Sequence, residues 1–312
     1  RKMRRFGRRC FGFVPLREGQ YRVPPAHHIP ESVRRPPYVS LPGGHPRPLP
    51  DSAFAEVKKA EDVERMRRAC VLARDALRAA VAAAKPGVTA HEVDGAANEV
   101  VVAGGAYPVG VQFHGFPKAT CISPNEVACH GIPDERPLVD GDIVNVDVST
   151  YLDGFYGDCS AMVLVGSVDE EGRRISEVTR RCRDEAIAAC RPGERYSTIG
   201  RIISEIARDS GYSVCDLFHG HFIGRELHMK PNILHYYPNG PARRRRTRRA
   251  RLDLEMRPGQ TFTIEPILCQ GSNELRIWSD GWTAVTADGG LCAQWEHTVL
   301  ITEDGHEVLT PL

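Results

Sequence analysis

Apolar residues recur every three or four positions from residue 60 to residue 84, which is the spacing of an amphipathic helix. The Lys-Pro-Gly sequence at 85–87 ends this pattern, because proline cannot continue the hydrogen-bond ladder of a helix. Thr89-Ala-His-Glu92 is a capping box. It predicts a second helix that runs to about Val102.

The same order of elements is predicted again about 106 residues further on. Residues 171–190 have helical spacing and end at Arg-Pro-Gly, and Ser197 can cap a helix over 198–209. Short strands follow each helix pair, at 107–111, 120–122 and 127–132 and then at 260–269, 283–287 and 294–302. We interpret this as an internal duplication that gives an α+β fold. Two pseudo-symmetric helix-helix-strand-strand halves would share a central antiparallel sheet, with the helices outside; a chance recurrence of the Pro-Gly stop is the alternative.

Residues 142–160 alternate apolar and polar positions, as a half-buried strand does. The Asp-Gly at 153–154 predicts a hairpin turn, which pairs Ser149 with Asp158. Asp147 and Asp158 then lie on one face as diagonal neighbours, roughly 7 Å apart at Cβ. Two surface aspartates on an edge hairpin would give the same pattern.

Two carboxylates this close are costly to bury unless a cation lies between them. Glu265 and Glu296 also lie in β-rich, apolar surroundings, and His221 follows a glycine in a loop. Any one of these residues alone is more often a satisfied polar group of the core. Together, two Asp, two Glu and one His predict a site for two divalent metal ions about 3.5–4 Å apart.

Composition limits the class of protein. The 312 residues, 41% hydrophobic and 26% charged, are enough for one large domain or two small ones. No apolar run approaches the roughly 20 residues that span a membrane. The ten cysteines include no C-x-x-C pair, which favours reduced thiols, an intracellular compartment and no structural zinc site.

The net charge of +1 conceals two basic segments on an acidic body. Residues 1–50 carry eleven Lys or Arg and two Glu, and the segment is rich in proline. We therefore expect residues 1–51 to form a basic, largely disordered extension that resembles the end of an organellar transit peptide. A solvated basic tail is the alternative. Residues 52–312 would be the folded domain that contains the predicted metal site.

The second basic segment, residues 242–251, contains seven arginines and no acid. Like charges at this density repel one another, so we expect a disordered insertion. It could contact ribosomal RNA or an acidic surface, be a neutral insertion, or result from a faulty gene model. Neither basic segment contains a motif that enters a nucleic-acid groove, so a specific nucleic-acid partner is not expected.

Several motifs together resemble the type 1 methionine aminopeptidases over about residues 52–312. They are Cys-His-Gly-Ile-Pro at 129–133, Asp147, Tyr-Gly-Asp-Cys-Ser at 156–160, Gly-His221, the Phe-Thr-Ile-Glu-Pro around Glu265 and the Ala-Gln-Trp-Glu-His-Thr around Glu296. Residues 181–190 resemble the mitochondrial 1D form in particular. The cytosolic eukaryotic form has a Cys- and His-rich zinc-binding start, whereas the first 50 residues here have only Cys10.

The resemblance implies the pita-bread fold and two divalent ions, which would be Co²⁺, Mn²⁺, Fe²⁺ or Zn²⁺. It assigns Asp147 to one ion, His221 and Glu265 to the other, and Asp158 and Glu296 to both as bridges. A metal-bridging hydroxide would attack the first peptide bond, with Glu265 as the proton acceptor.

The resemblance also implies a substrate site. His130 would contact the scissile amide or amine, and His228 the carbonyl oxygen. The methionine pocket would be lined by Cys121, Cys129 and Trp282, and Leu227 stands where the family usually has Phe. Phe222 replaces a family glycine, and it would strain the loop if that position needs a positive φ.

The implied function is removal of the N-terminal methionine from nascent or organellar polypeptides with a small second residue. We expect a mitochondrial monomer, with the cytoplasm as the alternative location, no membrane contact, and the ribosome as a candidate partner. The competing hypotheses are a catalytically impaired pita-bread binding module and a related aminopeptidase of different specificity, such as a proline-specific one.

Overall fold

The computed structural model describes residues 16–50, 54–237 and 253–312. The helices in these ranges are α1 Ala60–Ala83, α2 Ala90–Ala103, α3 Glu170–Ala188 and α4 Ser197–Ser210. The strands are β1 Tyr107–Pro108, β2 Thr120–Pro124, β3 Val127–Cys129, β4 Ile143–Leu152, β5 Phe155–Leu164, β6 Ser213–Val214, β7 Gly220–Phe222, β8 Met229–Ile233, β9 Thr261–Ile264, β10 Ile267–Cys269, β11 Leu275–Ile277, β12 Ala284–Thr286, β13 Cys292–Gln294, β14 His297–Ile301 and β15 His306–Val308.

The helix pairs form where the sequence predicts them, one pair in each half. At the start of α2, the Thr89 side chain accepts from the Glu92 backbone N–H and the Glu92 carboxylate accepts from that of Thr89, so the capping box is confirmed. The expected cap on α4 is wrong. Tyr196 holds the N-cap position without a side-chain hydrogen bond, and Ser197 donates to the carboxylate of Asp253 from both its backbone N–H and its hydroxyl.

Every strand pairing among the described residues is antiparallel, and the strands form four sheets rather than one continuous sheet. The first half contains the order β1-β4-β2, with β5 on β4; the second contains β15-β14-β9-β7-β8. Two smaller sheets, β13-β10-β6 and β11-β12-β3, complete the set. A bridge between Ser160 and Glu296 joins the two halves.

Each half has its own apolar core. Residues of α1, α2, β4 and β5 surround one core, and α3 and α4 cover the other against β9, β10 and β14. Trp295 packs against both cores, so the halves meet at this residue. None of the described helices is long and apolar enough to cross a membrane.

Residues 16–50 correct the expectation of a disordered extension. Tyr38 is fully buried, and its hydroxyl donates to the carbonyl of Val109. Val33 is also buried in the cluster that contains Tyr38. Periodicity could not reveal this order, because isolated apolar residues hold the segment in place. Residues 1–15 and the arginine-rich insertion at 242–251 lie outside the described residues.

Candidate metal centre

The predicted hairpin is formed by β4 and β5. Its register pairs Ser149 with Asp158 and Asp147 with Ser160, which confirms the predicted pairing. Because alternate residues of a strand share a face, Asp147 and Asp158 lie on the same side of the sheet. The Ser149 hydroxyl donates a 2.8 Å hydrogen bond to Oδ1 of Asp158 and so fixes the orientation of that carboxylate.

The two glutamates come from interruptions in a pair of neighbouring strands. Residues 265–266 separate β9 from β10, and residues 295–296 separate β13 from β14. The gaps lie opposite each other, since β9 pairs with β14 and β10 with β13. The Glu296 N–H donates to the carbonyl of Ser160 on β5, over 3.1 Å. The expected continuous strands over 260–269 and 294–302 are therefore broken at the candidate ligands.

His221 is held in β7 with one ring nitrogen directed to the carboxylates. Its Nδ1 lies 3.1 Å from the carbonyl oxygen of Phe222, a contact that places the ring proton on Nδ1. Its Nε2 lies 3.7 Å from Oδ2 of Asp158 and 3.5 Å from Oε1 of Glu265. The Thr263 hydroxyl accepts from the His221 N–H and donates to Glu265 Oε1, which ties the two candidate ligands together.

All the site residues named from the sequence line one cavity of about 100 Å³. Three of them, Asp158, His221 and Glu296, present ligand atoms that lie within 4.8 Å of one another. The structure thus places candidate ligands from the two halves in one cluster. The predicted residues on its wall are Cys121, Cys129, His130, Asp147, Asp158, His221, Leu227, His228, Glu265, Trp282 and Glu296.

Burial of the carboxylates dominates the electrostatics of the cavity. It raises the pKa of Asp158 to about 7 and holds the pKa values of Asp147, Glu265 and Glu296 well above their usual range. Mutual repulsion raises the last three further. Burial lowers the pKa of His221 to about 4, so that its imidazole is neutral at pH 7.

This donor set fits divalent metal ions. Four carboxylates face one another, and within the described ranges no lysine or arginine lines the cavity to compensate them. Oxygen donors with one neutral imidazole suit ions such as Mn²⁺, Fe²⁺, Co²⁺ and Zn²⁺. A cation would remove the repulsion and keep the carboxylates ionised.

The two candidate substrate histidines come from different halves. His130 follows β3 with φ +56°, a left-handed conformation that costs a non-glycine residue about 1–3 kcal/mol. Burial lowers its pKa to about 4. The His228 ring precedes β8 and lies edge-on to His221, with 4.5 Å between ring centroids. Both imidazoles are therefore neutral groups at the edge of the carboxylate cluster.

The candidate methionine slot has thiols and aromatic rings on its walls. Cys121 pairs with Asp147 across β2 and β4, and burial raises the pKa values of Cys121 and Cys129 well above their usual range. Both thiols thus stay protonated and serve as small apolar groups. Trp282 packs against the ring of His130, at 5.9 Å between centroids.

Sequence reasoning missed three aromatic residues of this cavity, Phe113, Phe116 and Phe218. Phe113 begins a one-turn 3-10 helix and the other two lie in loops, where no periodic pattern marks them. It also missed His235, which is buried and whose Nε2 accepts from the Glu265 N–H over 3.3 Å. Its position after β8 gives no signal in the sequence, because the contact depends on the strand break at residue 265.

The expected strain at Phe222 is wrong. Phe222 is a strand residue of β7 with a negative φ, and its side chain is fully buried between Tyr196 and Phe262. The position in this strand that requires glycine is Gly220, two residues before Phe222. A Cβ on Gly220 would lie 2.4 Å from the carbonyl oxygen of Thr263, so a side chain there would push β7 away from β9.

The sequence model of metallopeptidase family M24 matches residues 64–303. The chain belongs to this family. Its fold is the pita-bread fold of family M24, in agreement with the duplication that the sequence predicted. The resemblance carried by the motifs is therefore confirmed.

Individual relatives are methionine aminopeptidases. The chain is 45% identical over 290 residues to methionine aminopeptidase 1D, mitochondrial, of Danio rerio, which covers 93% of this chain and 81% of that protein. It is 44% identical over 297 residues to methionine aminopeptidase 1B, chloroplastic, of Arabidopsis thaliana, with coverages of 95% and 75%. The solved structure of methionine aminopeptidase from Rickettsia prowazekii aligns with a TM-score of 0.76 and 38% identity, over 82% of this chain and 99% of that chain.

Proposed function

We propose that this chain is a metallo-aminopeptidase that removes N-terminal methionine from nascent or organellar polypeptides. The observation that carries the proposal is the single cavity in which five metal-ligand candidates from both halves, three of them buried, meet a slot lined by two thiols and an indole. The relatives and the solved structure described above are named methionine aminopeptidases, which supports methionine as the residue that is removed.

The residues that would hold two divalent ions are Asp147, Asp158, His221, Glu265 and Glu296. When bound, such ions act as Lewis acids that neutralise the carboxylates and activate water for attack on a carbonyl. We propose that the ions are Co²⁺, Mn²⁺, Fe²⁺ or Zn²⁺, because all four match the donor set.

The protein side chains position the substrate and move protons. Glu265 accepts the proton of the attacking water, because its carboxylate lies in the cavity and its Oε1 orientation is fixed by Thr263. His228 donates to the scissile carbonyl oxygen, and His130 contacts the scissile amide. Both rings have lowered pKa values from burial, so they act as neutral hydrogen-bonding groups.

Two features of the slot support selection for methionine and a small second residue. Cys121, Cys129 and Trp282 offer a soft, apolar surface that suits a flexible thioether. The rings of Phe113 and His228 pack edge to face on the cavity wall, with 5.4 Å between centroids. A bulky second side chain next to His228 would have to displace one of these rings.

Peptide cleavage tests the proposal directly. The metal-free protein should be inactive and should cleave Met-Ala-Ser after addition of cobalt, manganese, iron or zinc, with much slower cleavage of Met-Leu-Ser and Leu-Ala-Ser. Equal rates on Met-Ala-Ser and Leu-Ala-Ser would contradict methionine selectivity. Binding of peptide without cleavage under every metal would instead support the non-catalytic binding module, and preference for an Ala-Pro peptide would support a proline-specific peptidase.

We also propose a mitochondrial location and a monomeric state. Support for the location comes from the name of the Danio rerio relative and from the basic, acid-poor composition of residues 1–51, although the Arabidopsis thaliana relative is named chloroplastic. Fractionation of cells that express the tagged full-length protein would test it. Light scattering would test the monomer, and co-sedimentation with ribosomes at increasing salt would test the ribosome as a partner.

A further inference from the structure

A second and larger cavity, of about 390 Å³, lies beside the metal cavity. The two cavities share Phe113, Leu227 and His228 in their walls, so that they adjoin at these three residues. The larger one lies between residues 46–50 of the N-terminal arm and residues 226–230, which lead into β8. We call it the arm groove, defined by these two segments together with Phe54, Phe113 and His114.

The arm groove adjoins the metal cavity on the His228 side, away from Cys129 and Trp282. Cys129 and Trp282, which line the methionine slot, belong only to the smaller cavity, whereas His228 belongs to both. The smaller cavity, at about 100 Å³, has room for little more than one residue. A polypeptide whose first residue fills it must therefore continue past His228, and the arm groove is the space that opens there.

The arm side of the groove has free main-chain groups for an extended chain. Pro46, Pro48 and Pro50 have no N–H to donate, and in the described part of the chain no hydrogen bond reaches the main chain of residues 46–50. Their carbonyl oxygens and the N–H groups of Arg47 and Leu49 are thus available to a peptide backbone. Proline also keeps this segment extended before any peptide binds, which lowers the entropy lost on binding.

The groove also offers side-chain contacts. Leu49 is a partly exposed apolar side chain on the arm, and Met229 is a buried one on the opposite wall. Arg47 and Lys230 supply positive charge, and Glu226 supplies negative charge. An extended peptide with mixed side chains fits this surface better than a small polar molecule, because both apolar and charged groups line a cavity of about 390 Å³.

We propose that the arm groove binds substrate residues beyond the third, so that residues 46–50 make this chain favour long polypeptides over tripeptides. The inference rests on the proposed function. It assigns to the N-terminal arm a role in substrate binding. The arm would thereby act in the selection of nascent chains without contact to the metal ligands.

The test compares Met-Ala-Ser with the octapeptide Met-Ala-Ser-Gly-Ser-Ala-Gly-Ser on the full chain with one added metal. We expect a KM for the octapeptide that is lower by about fivefold or more, equivalent to about 1 kcal/mol. Leu49→Asp should remove most of this advantage and leave kcat and tripeptide kinetics unchanged. Val23→Asp is the matched control, since Val23 is an apolar arm residue outside the groove with similar exposure, 44% against 37% for Leu49.

Two results would overturn the proposal. Equal KM values for the two peptides in the unmodified protein would show that the groove does not bind substrate, while methionine removal would stand. An equal loss on both peptides in Leu49→Asp would show that Leu49 acts on the fold or the metal cavity. Titration with the product Ala-Ser-Gly-Ser-Ala-Gly-Ser gives a readout without catalysis, and binding that weakens in Leu49→Asp but not in Val23→Asp supports the groove.

Discussion

The two halves of the molecule deliver their metal-ligand candidates in different ways. In the first half, Asp147 and Asp158 project from an unbroken hairpin of two ten-residue strands, where alternation alone places them on one face. In the second half, Glu265 and Glu296 lie at gaps between short strands. A regular ladder holds two carboxylates at the spacing of diagonal neighbours. A broken ladder can turn a side chain out of that pattern, so the second half can complete a cluster that the hairpin only starts.

The largest expected effect comes from removal of one ligand in each half. Asp158→Ala and Glu296→Ala should each lower cleavage of Met-Ala-Ser by more than about 10²-fold, because even outer-shell partners of a metal contribute 10–100-fold. Elemental analysis should show metal loss in both variants. Glu303→Ala, an exposed acid just after β14, is the control. Unmodified turnover in either ligand variant would refute the two-ion centre and would show that the half carrying that residue does not supply a necessary ligand.

Phe222→Gly should destabilise the second half. Its buried side chain packs on Phe262, so its loss removes an aromatic group from the core of the sheet that carries His221. We expect a loss of about 3–5 kcal/mol in the free energy of unfolding, measured with urea. Leu217→Ala, at a position where the side chain is 53% exposed, should change it little. Unchanged stability with higher activity in Phe222→Gly would favour the strain that the sequence suggested.

The histidines test whether both halves also contribute to the chemistry. His130→Ala and His228→Ala should bind metal normally and lose turnover by roughly 10²-fold, as hydrogen-bonding groups in a transition state do. Metal content and kcat would be measured on the same samples. Metal loss in one variant would show that this histidine is a ligand, and the two halves would then differ more than we propose.

The smallest expected effect concerns the hydroxyls that orient the carboxylates. Ser149 donates to Asp158 on the hairpin, and Thr263 donates to Glu265 at the strand break. Ser149→Ala and Thr263→Val should each weaken metal binding by about tenfold. We expect the larger effect for Thr263→Val, because Thr263 also accepts from the His221 N–H. A larger effect for Ser149→Ala in metal titrations would show that the regular hairpin needs more support than the broken strands.

Local patterns predicted the parts of the fold that local interactions determine. The capping box at Thr89 and the register of β4 with β5 depend on residues close in sequence, and both are confirmed. The order of residues 16–50 depends on contacts such as that between Tyr38 and Val109, which are far apart in the chain. No single-segment pattern contains that information.

The candidate site shows the same division. Residue type and apolar surroundings identified Glu265 and Glu296, because an ionised group in such surroundings needs a partner. They did not identify the strand breaks that direct these side chains, since proline marks only the gap after Glu265. The strain assigned to Phe222 assumed a loop. Its pairing with Phe262 in β7 and β9 makes it a core residue instead.

The hydrogen bond from the Glu296 N–H to Ser160 has a consequence for dynamics. It belongs to a contact between the two halves that we call the seam. The seam also contains a hydrogen bond from Nδ2 of Asn145 to the carbonyl of Gln294 and one from the Thr298 hydroxyl to the carbonyl of Asp158. The amide proton of Glu296 can exchange with solvent only when this seam opens. Its deuterium uptake would therefore report separation of the halves, and a metal held on both sides of the seam would slow that uptake in proportion to its affinity.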